Sequence, residues 1–365
     1  MNETLLTWFV FLLAFGGMVI IHEFGHYVAA RLCNIEVEEF GIGLPTPRAL
    51  TLFTWQGTRF TLNWLPFGGF VRPKGENDPD VPGGLAAANP WKRFFVLVAG
   101  PAMNLLTAVL VYSFIFARVG VPDLNRVLVT SVTAESPAEQ AGFRSGDIFI
   151  AANGQTISND VDLRIIVDAS EDQPVLFLVD RNGQEVELTA TPKLNAAEGR
   201  AMIGVGLGNP YTTPTSWVET LNFGAEHTYT IMRNLVSLPA QLVRGTLTPE
   251  QSRVVGLKGI YDIMEVSVER GIEASKTAPQ SEPFAWYIPS LQIVAILSIS
   301  LGIFNLFPFP ALDGGRIIFL LPELLFRRRV PARVENLVHA LGMTVLLAFM
   351  IYVNVMDFVN PINIP

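Results

Sequence analysis

Residues 5–30 read LLTWFVFLLAFGGMVIIHEFGHYVAA. No Asp, Glu, Lys or Arg falls between Glu3 and Glu23. A helix rises 1.5 Å per residue, so such a run crosses most of a hydrocarbon core about 30 Å thick. The helical pattern does not stop there but runs on into His22-Glu23-Phe24-Gly25-His26. On a helix, positions i and i+4 face the same way, so His22 and His26 can meet one ion. Zn2+ suits two imidazole nitrogens with a position left open for water. Glu23 lies beside that ion, placed to take a proton from the water and later hand it to a leaving amine. Three ionisable side chains at the deep end of a membrane helix are costly and are retained for function. Met1–Thr4 carries no Lys or Arg and no small-residue cleavage site follows, so the reading is a retained span rather than a signal peptide.

Working outward, the whole chain has a membrane composition. Of 365 residues, 50% are hydrophobic and 16% charged, against about 25% charged in an ordinary soluble protein. Mean hydropathy is +0.38. Three more charge-free runs separate Arg93 from Arg118, Glu282 from Asp313, and Glu335 from Asp357. They predict spans over 91–117, 284–307 and 336–356. Arg31, Lys92 and Arg93 bound the first loop, and Arg327, Arg328, Arg329 and Arg333 fill the last. By the excess of Lys and Arg, both loops should be cytoplasmic. The long middle loop should then lie outside, with Arg118, Arg126 and Lys276 as sparse counter-evidence. From Arg118 to Tyr287 there are 21 acidic and 13 basic residues, which accounts for the whole net charge of −8. That balance fits a water-soluble domain and argues against a nucleic-acid surface. A single cysteine, Cys33, excludes an internal disulfide framework; it reads as a small buried apolar residue.

In the first loop, 50–55 and 58–65 have strand composition around Gln56-Gly57, a tight-turn pair. The hairpin is unusually apolar, with Leu52, Phe53, Trp55, Phe60, Leu62, Trp64, Leu65 and Phe67. Two readings stand: packing on its own domain, or dipping into the membrane region with one edge free. Gly68-Gly69-Phe70 then allows a close backbone approach. The second span contains Gly100-Pro101-Ala102-Met103-Asn104. Asn104 needs a partner inside the bundle, either as helix–helix glue or as part of the site, where it would contact substrate.

Between 121 and 210 the pattern turns to short strands. Ser136-Pro137-Ala138-Glu139-Gln140-Ala141-Gly142 opens and closes a short helix, with Ser as N-cap, Pro in the first turn and Gly at the end. Strands are expected over 126–132, 148–152, 175–180 and 185–191, and a helix over 161–167. The succession, and S-P-A-E-Q-A-G-F-R-S-G-D-I-F-I-A-A-N-G above all, resembles a PDZ domain of the protease-associated kind. Met202-Ile203-Gly204-Val205 would supply the edge strand and loop that bind a peptide C-terminus. Residues 211–283 read as mixed helical segments at the membrane surface. His227 and His339 read as packing or interfacial histidines.

Catalytic zinc usually has three protein ligands. Asp313 is the best third. It ends the uncharged run after Glu282, in Asn305-Leu306-Phe307-Pro308-Phe309-Pro310-Ala311-Leu312-Asp313-Gly314-Gly315-Arg316. Two prolines so close cannot sit in a regular helix, so the chain should unwind there and restart after the glycines. Spans one and three both run inward, which lets His22 and Asp313 reach similar depth.

H-E-F-G-H in the first span, N-L-F-P-F-P-A-L-D-G-G in the third and an intervening PDZ domain resemble the site-2 protease family. The bacterial subgroup that cleaves anti-sigma factors is the most similar. The resemblance covers the whole chain. It implies His22, His26 and Asp313 as Zn2+ ligands and Glu23 as catalytic acid/base. It implies Asn305 as a residue that binds substrate or stabilises the oxyanion, and the hairpin before Gly69-Phe70 as an edge offered to an extended substrate. The implied fold is a polytopic α-helical membrane protein of about four transmembrane helices, with a membrane-associated β-hairpin and one inserted α+β PDZ-like domain. Its parts would be 1–120 (two spans, metal motif, hairpin), 121–210 (PDZ-like), 211–283 (helical surface region) and 284–365 (two spans). Many relatives carry two PDZ domains in tandem; one is found here. The implied partners are the lipid bilayer and membrane proteins with a transmembrane helix, such as anti-sigma factors or signal-peptide remnants. The implied place is a bacterial inner membrane, with the PDZ domain extracytoplasmic. The rival reading is a PDZ-bearing membrane scaffold with an inactive zinc site, and the complete set of metal-site residues argues against it. A zinc transporter would spread its carboxylates along a path rather than gather them.

Overall fold

The long charge-free runs form long helices, and the intervening polar stretches form sheets. The computed structural model describes residues 3–43, 45, 48–64, 68–195, 199–246, 253–277 and 285–361. The chain divides into two compact units, Phe116–Thr220 and, flanking it in sequence, Met1–Ile115 with Leu221–Pro365.

The flanking unit opens with α1 (Glu3–Leu32), which carries H-E-F-G-H without interruption. Four strands follow: β1 (Val37–Ile42), β2 (Arg48–Trp55), β3 (Thr58–Asn63) and β4 (Gly69–Pro73). The expected hairpin is present as β2–β3, closed by Gln56 and Gly57 at positive φ. It is not isolated. The sheet order is β2-β3-β1-β4, with β1 parallel to β3 and antiparallel to β4. This sheet packs on the last turns of α1, where Tyr27, Ala29 and Ala30 bury against Ile35, Val37, Phe40 and Leu85. Leu50, Leu52, Phe53, Trp55 and Trp64 stay exposed. Leu65 and Phe67 of the expected apolar set lie outside the described residues. Next, α2 (Pro90–Val119) holds Pro101 inside it, as a membrane helix tolerates when neighbours satisfy the freed carbonyl.

The inserted unit begins at β5 (Val121–Pro122) and β6 (Val127–Val132), then α3 (Pro137–Ala141). Ser136 caps α3, its side chain accepting from the N–H of Glu139, and Gly142 ends it in the left-handed region. Then come β7 (Ile148–Ala152), β8 (Gln155–Thr156), α4 (Asp160–Asp168), β9 (Val175–Arg181) and β10 (Gln184–Ala190). β11 (Lys193–Asn195), β12 (Arg200–Met202), β13 (Val205–Gly208) and β14 (Tyr211–Thr212) complete it. The main sheet runs β10-β9-β7-β6-β13, with β8 on β7. Its core centres on Phe143, Phe149 and Phe177, whose ring centroids lie 5.6 to 5.7 Å apart. Leu163 and Val167 of α4 join that core. β14 pairs with β5 and draws the ends of the unit together.

Residues after the insertion form two long helices, α5 (Trp217–Arg244) and α6 (Leu257–Thr277). These are the helical segments expected within 211–283. α7 (Ile288–Leu306), α8 (Asp313–Phe326) and α9 (Ala332–Val359) end the chain. Phe284, the expected start of the third span, lies outside the described residues. The chain unwinds at Phe307–Leu312 as the prolines require, but it restarts at Asp313 itself, before the glycines. Gly314 and Gly315 are buried against the carbonyls of Leu306, Phe307 and Phe309, with no room for a Cβ. Among the described residues, α1, α2, α7 and α9 are long and apolar enough to cross a membrane.

Candidate metal centre

Two helices carry the metal-binding set. α1 brings His22 and His26 to one face, and the first residue of α8 is Asp313. His22 Nε2 lies 3.2 Å from Asp313 Oδ2, His26 Nε2 lies 3.4 Å from it, and the two Nε2 atoms are 3.2 Å apart. Tetrahedral ligands about 2.0 to 2.1 Å from a zinc ion stand roughly 3.3 Å from one another. The three separations match that figure.

Hydrogen-bond chemistry makes the same case. His26 Nδ1 lies 2.7 Å from the carbonyl of Val96. A carbonyl only accepts, so Nδ1 carries the proton and Nε2 presents its lone pair. That lone pair faces a carboxylate oxygen. Asp313 Oδ2 is buried without a hydrogen-bond partner. Lone pairs converging on one point repel unless a cation sits between them, so the residues fit a metal. Asn104 supports His22 in the same way. Its amide nitrogen lies 3.1 Å from His22 Nδ1, and its Oδ1 is buried and unpartnered. Turning that amide over puts Oδ1 on Nδ1–H, the tautomer that frees Nε2 for the ion. Asn104 is fully buried, so it backs the ligand and is not placed to contact substrate as its polarity in the span suggested. The Ser298 hydroxyl of α7 donates to the Asn104 backbone carbonyl at 2.9 Å, a contact between helices that does not use the amide side chain.

Val96, Gly100 and Asn104 recur every fourth residue along α2, on the face turned to the two histidines. Gly100 permits this: a Cβ there would run into the His26 ring. Gly25 of the motif answers from the other side, where a Cβ would strike the carbonyl of Ala99 and the Met103 side chain. Small residues let membrane helices close to this distance.

β4 approaches from the loop side. Gly43 N–H donates to Gly68 O, and Gly41 is paired with Phe70, so Phe70 and Arg72 bond toward β1 while Gly69 and Val71 point away. Val71 N–H donates to Glu23 Oε2 at 2.9 Å. A Cβ at Gly69 would lie 3.3 Å from Glu23 Cγ. Of the expected pair, Gly69 therefore borders Glu23 directly, while Phe70 lies over Gly41. The strand beside the carboxylate is β4, not the β2–β3 hairpin. Asn305 stands in the last turn of α7, half-buried, ahead of the turn into Asp313.

Met202, Ile203 and Gly204 fall in the inserted unit. They line a groove of about 250 Å³ opposite Leu163, Arg164 and Val167 of α4. Cys33 is a free thiol packed at the end of α1. His227 packs on Tyr112, ring centroids 4.5 Å apart.

Helices among which several are long and apolar enough to cross a membrane thus bring together two imidazoles and a carboxylate arranged for one ion, with a second carboxylate held beside them: a metal centre of the hydrolytic kind. The sequence matches peptidase family M50 over residues 10–349, and the chain belongs to that family, the site-2 proteases. A protein of Clostridium perfringens, bearing the provisional name zinc metalloprotease, is 31% identical over 352 residues, covering 96% of this chain and 98% of its own. Metalloprotease MmpA of Caulobacter vibrioides is 29% identical over 370 residues, covering 92% of this chain and 91% of its own. Among solved structures, the PDZ domain of an SdrC-like protein from Listeria monocytogenes matches 23% of this chain and 87% of its own, at 17% identity and a TM-score of 0.21. Zinc is the ion that the Clostridium perfringens relative's name gives and the one this donor set fits.

Proposed function

We propose that this chain is an intramembrane zinc endopeptidase, hydrolysing peptide bonds within or near the transmembrane segments of other membrane proteins. The observation that carries this is the unpartnered, buried Asp313 Oδ2 facing His22 and His26 among membrane-length apolar helices. His22, His26 and Asp313 hold the ion. Zinc supplies Lewis acidity toward the scissile carbonyl and makes a bound water acidic near neutral pH. Glu23 accepts the proton of the attacking water and returns it to the leaving nitrogen. Val71 N–H holds one Glu23 oxygen and leaves the other for that transfer. Asn305, at the end of α7, stabilises the developing oxyanion.

A substrate helix hides its carbonyls in its own hydrogen bonds, so it must unwind. In this reading the β4 edge turned toward Glu23 offers its remaining backbone groups as replacement partners; Gly69 lets the backbone come close there, and one N–H, that of Val71, is held by Glu23. The exposed Leu52, Phe53, Trp55 and Trp64 suit a sheet set against lipid. In this reading the PDZ-like unit lies outside the cytoplasm of an inner membrane. It excludes intact ectodomains, or takes a new C-terminus in the groove at Met202, Ile203 and Gly204. Single-span proteins such as anti-sigma factors or signal-peptide remnants fit that arrangement.

The test is cleavage of a tagged single-span substrate by the purified protein in detergent. Glu23→Gln should lower the rate about 10²- to 10⁴-fold, the range for a general base, while zinc stays bound. Cleavage at the wild-type rate would remove Glu23 from the chemistry; a scaffold would show no cleavage in either form.

A further inference from the structure

His339 lies on α9, away from the metal motif, and sequence reading makes it a packing residue. Its ring does more than pack. The turn Phe307-Pro308-Phe309-Pro310-Ala311-Leu312 delivers Asp313 to the site. Two prolines leave that turn short of N–H groups with which to fix itself. Ala311, two residues before Asp313, has φ of 83°. That left-handed conformation is disfavoured for a residue with a Cβ and persists only when its surroundings enforce it.

The enforcing contact comes from α9. The Ala311 N–H donates to His339 Nδ1 at 2.9 Å. The ring also packs on Phe319 of α8, centroids 5.4 Å apart. One turn further along α9, Gly342 lies so close to Pro310 that a Cβ would clash. The turn is thus gripped at Pro310 and Ala311 by α9, just ahead of the ligand.

We propose that His339 is a positioning residue for the metal centre: by accepting the Ala311 N–H it holds the left-handed turn that aims Asp313 at His22 and His26. The inference rests on Asp313 being the third ligand. Side-chain packing alone would not need a lone pair on Nδ1. A positioning role does, and it makes the need depend on the backbone strain at Ala311.

The experiment measures zinc affinity of the full chain in detergent by competition with a chelator, and the kcat and KM of cleavage. His339→Ala should bind zinc about 10-fold more weakly, the lower end for partners that orient a ligand, with kcat falling and KM unchanged. His339→Asn, which keeps an acceptor, should stay within about 3-fold of wild type, less than one lost neutral hydrogen bond. Ala311→Gly, which removes the strain, should restore His339→Ala to near wild type. An equal zinc affinity in His339→Ala and wild type overturns the proposal. So does a loss that is the same with Ala311 or Gly at 311, which marks packing only. Asp313→Ala runs alongside: if it keeps its zinc, the ligand reading falls too, whereas loss there with no effect at His339 sinks the positioning role alone.

Discussion

Asp147 of the inserted unit and Asp313 of the flanking unit each hold a buried carboxylate oxygen, and the fold treats the two in opposite ways. In the inserted unit Asp147 is fully buried. Its Oδ1 accepts from Arg181 Nε at 2.7 Å, and its Oδ2 accepts from Arg181 at 2.7 Å and from the Arg144 N–H at 2.8 Å. Every demand of that carboxylate is met within the fold. In the flanking unit Asp313 Oδ2 faces two imidazole nitrogens with no hydrogen-bond partner. A buried oxygen is common to both, though the Asp147 side chain is 1% exposed and that of Asp313 16%. Satisfaction separates them: a buried carboxylate paired by its own chain is a structural part, and one left open to converging lone pairs is waiting for a cation.

The largest effect should follow from breaking the open site. Asp313→Ala should weaken zinc binding by at least about 100-fold, beyond what loss of an outer partner costs, and abolish cleavage. The inserted unit should keep its wild-type protection from hydrogen exchange. Loss of protection at β7 and β9 in that variant would mean that Asp313 serves the fold, and the contrast with Asp147 would fail.

The closed site should answer the other way. Asp147→Ala removes the charged hydrogen-bond partner of the partly exposed Arg181, at a cost of about 2 kcal/mol. Hydrogen exchange of the full chain should show the inserted unit opening more readily, with zinc content unchanged. Burial opposes the charge on Asp147. The bidentate Arg181 hydrogen bonds outweigh it, helped by the Arg144 N–H and the positive charge of Arg181, and hold the carboxyl below its ordinary range. Its folded form therefore binds a proton less readily than the unfolded chain does. The stabilisation is present at neutral pH and fades as pH falls through and below the ordinary carboxylate range. In Asp147→Asn that part of the acid sensitivity should vanish. A variant that still loses protection over the same acid range would place the sensitivity elsewhere.

How much of this could be read from the chain depends on where the information sits. His22 and His26 were legible because helical periodicity alone puts them together. Asp313 was legible as the charge that ends a long apolar run. Both are local patterns. β4 was not, because the sequence of Gly69–Pro73 does not say that it will pair with β1; that pairing is set by packing on Tyr27 and Phe40. Val96 could not be found at all, since it acts through its backbone carbonyl, which every residue has. His339 is legible as a packing histidine, and it packs on Phe319; its bond to the Ala311 N–H is not legible, because it goes with an unusual φ and a sequence does not print dihedral angles. Gly100 and Asn104 carried a usable signal, a glycine and an amide spaced by four in a membrane span. Reading it needed the further step of matching that spacing to the histidines on the facing helix.

That matching is what the smallest prediction probes. The satisfied Asp147 pair holds itself, but the open site relies on the fit between α1 and α2. Gly100→Ala adds one methyl group, aimed at the His26 ring. Helix propensity favours the change by about 1 kcal/mol, so the span itself should be no weaker. The imidazole, however, must move, and its Nδ1 then loses alignment with the Val96 carbonyl 2.7 Å away. Zinc affinity should fall about 10-fold, as for other partners that orient a metal-bound imidazole, with the inserted unit untouched. Zinc binding at wild-type strength would mean that the ring has slack in its seat. The geometry of the site would then be set by Asn104 and the Asp313 turn, rather than by the close approach of the two helices.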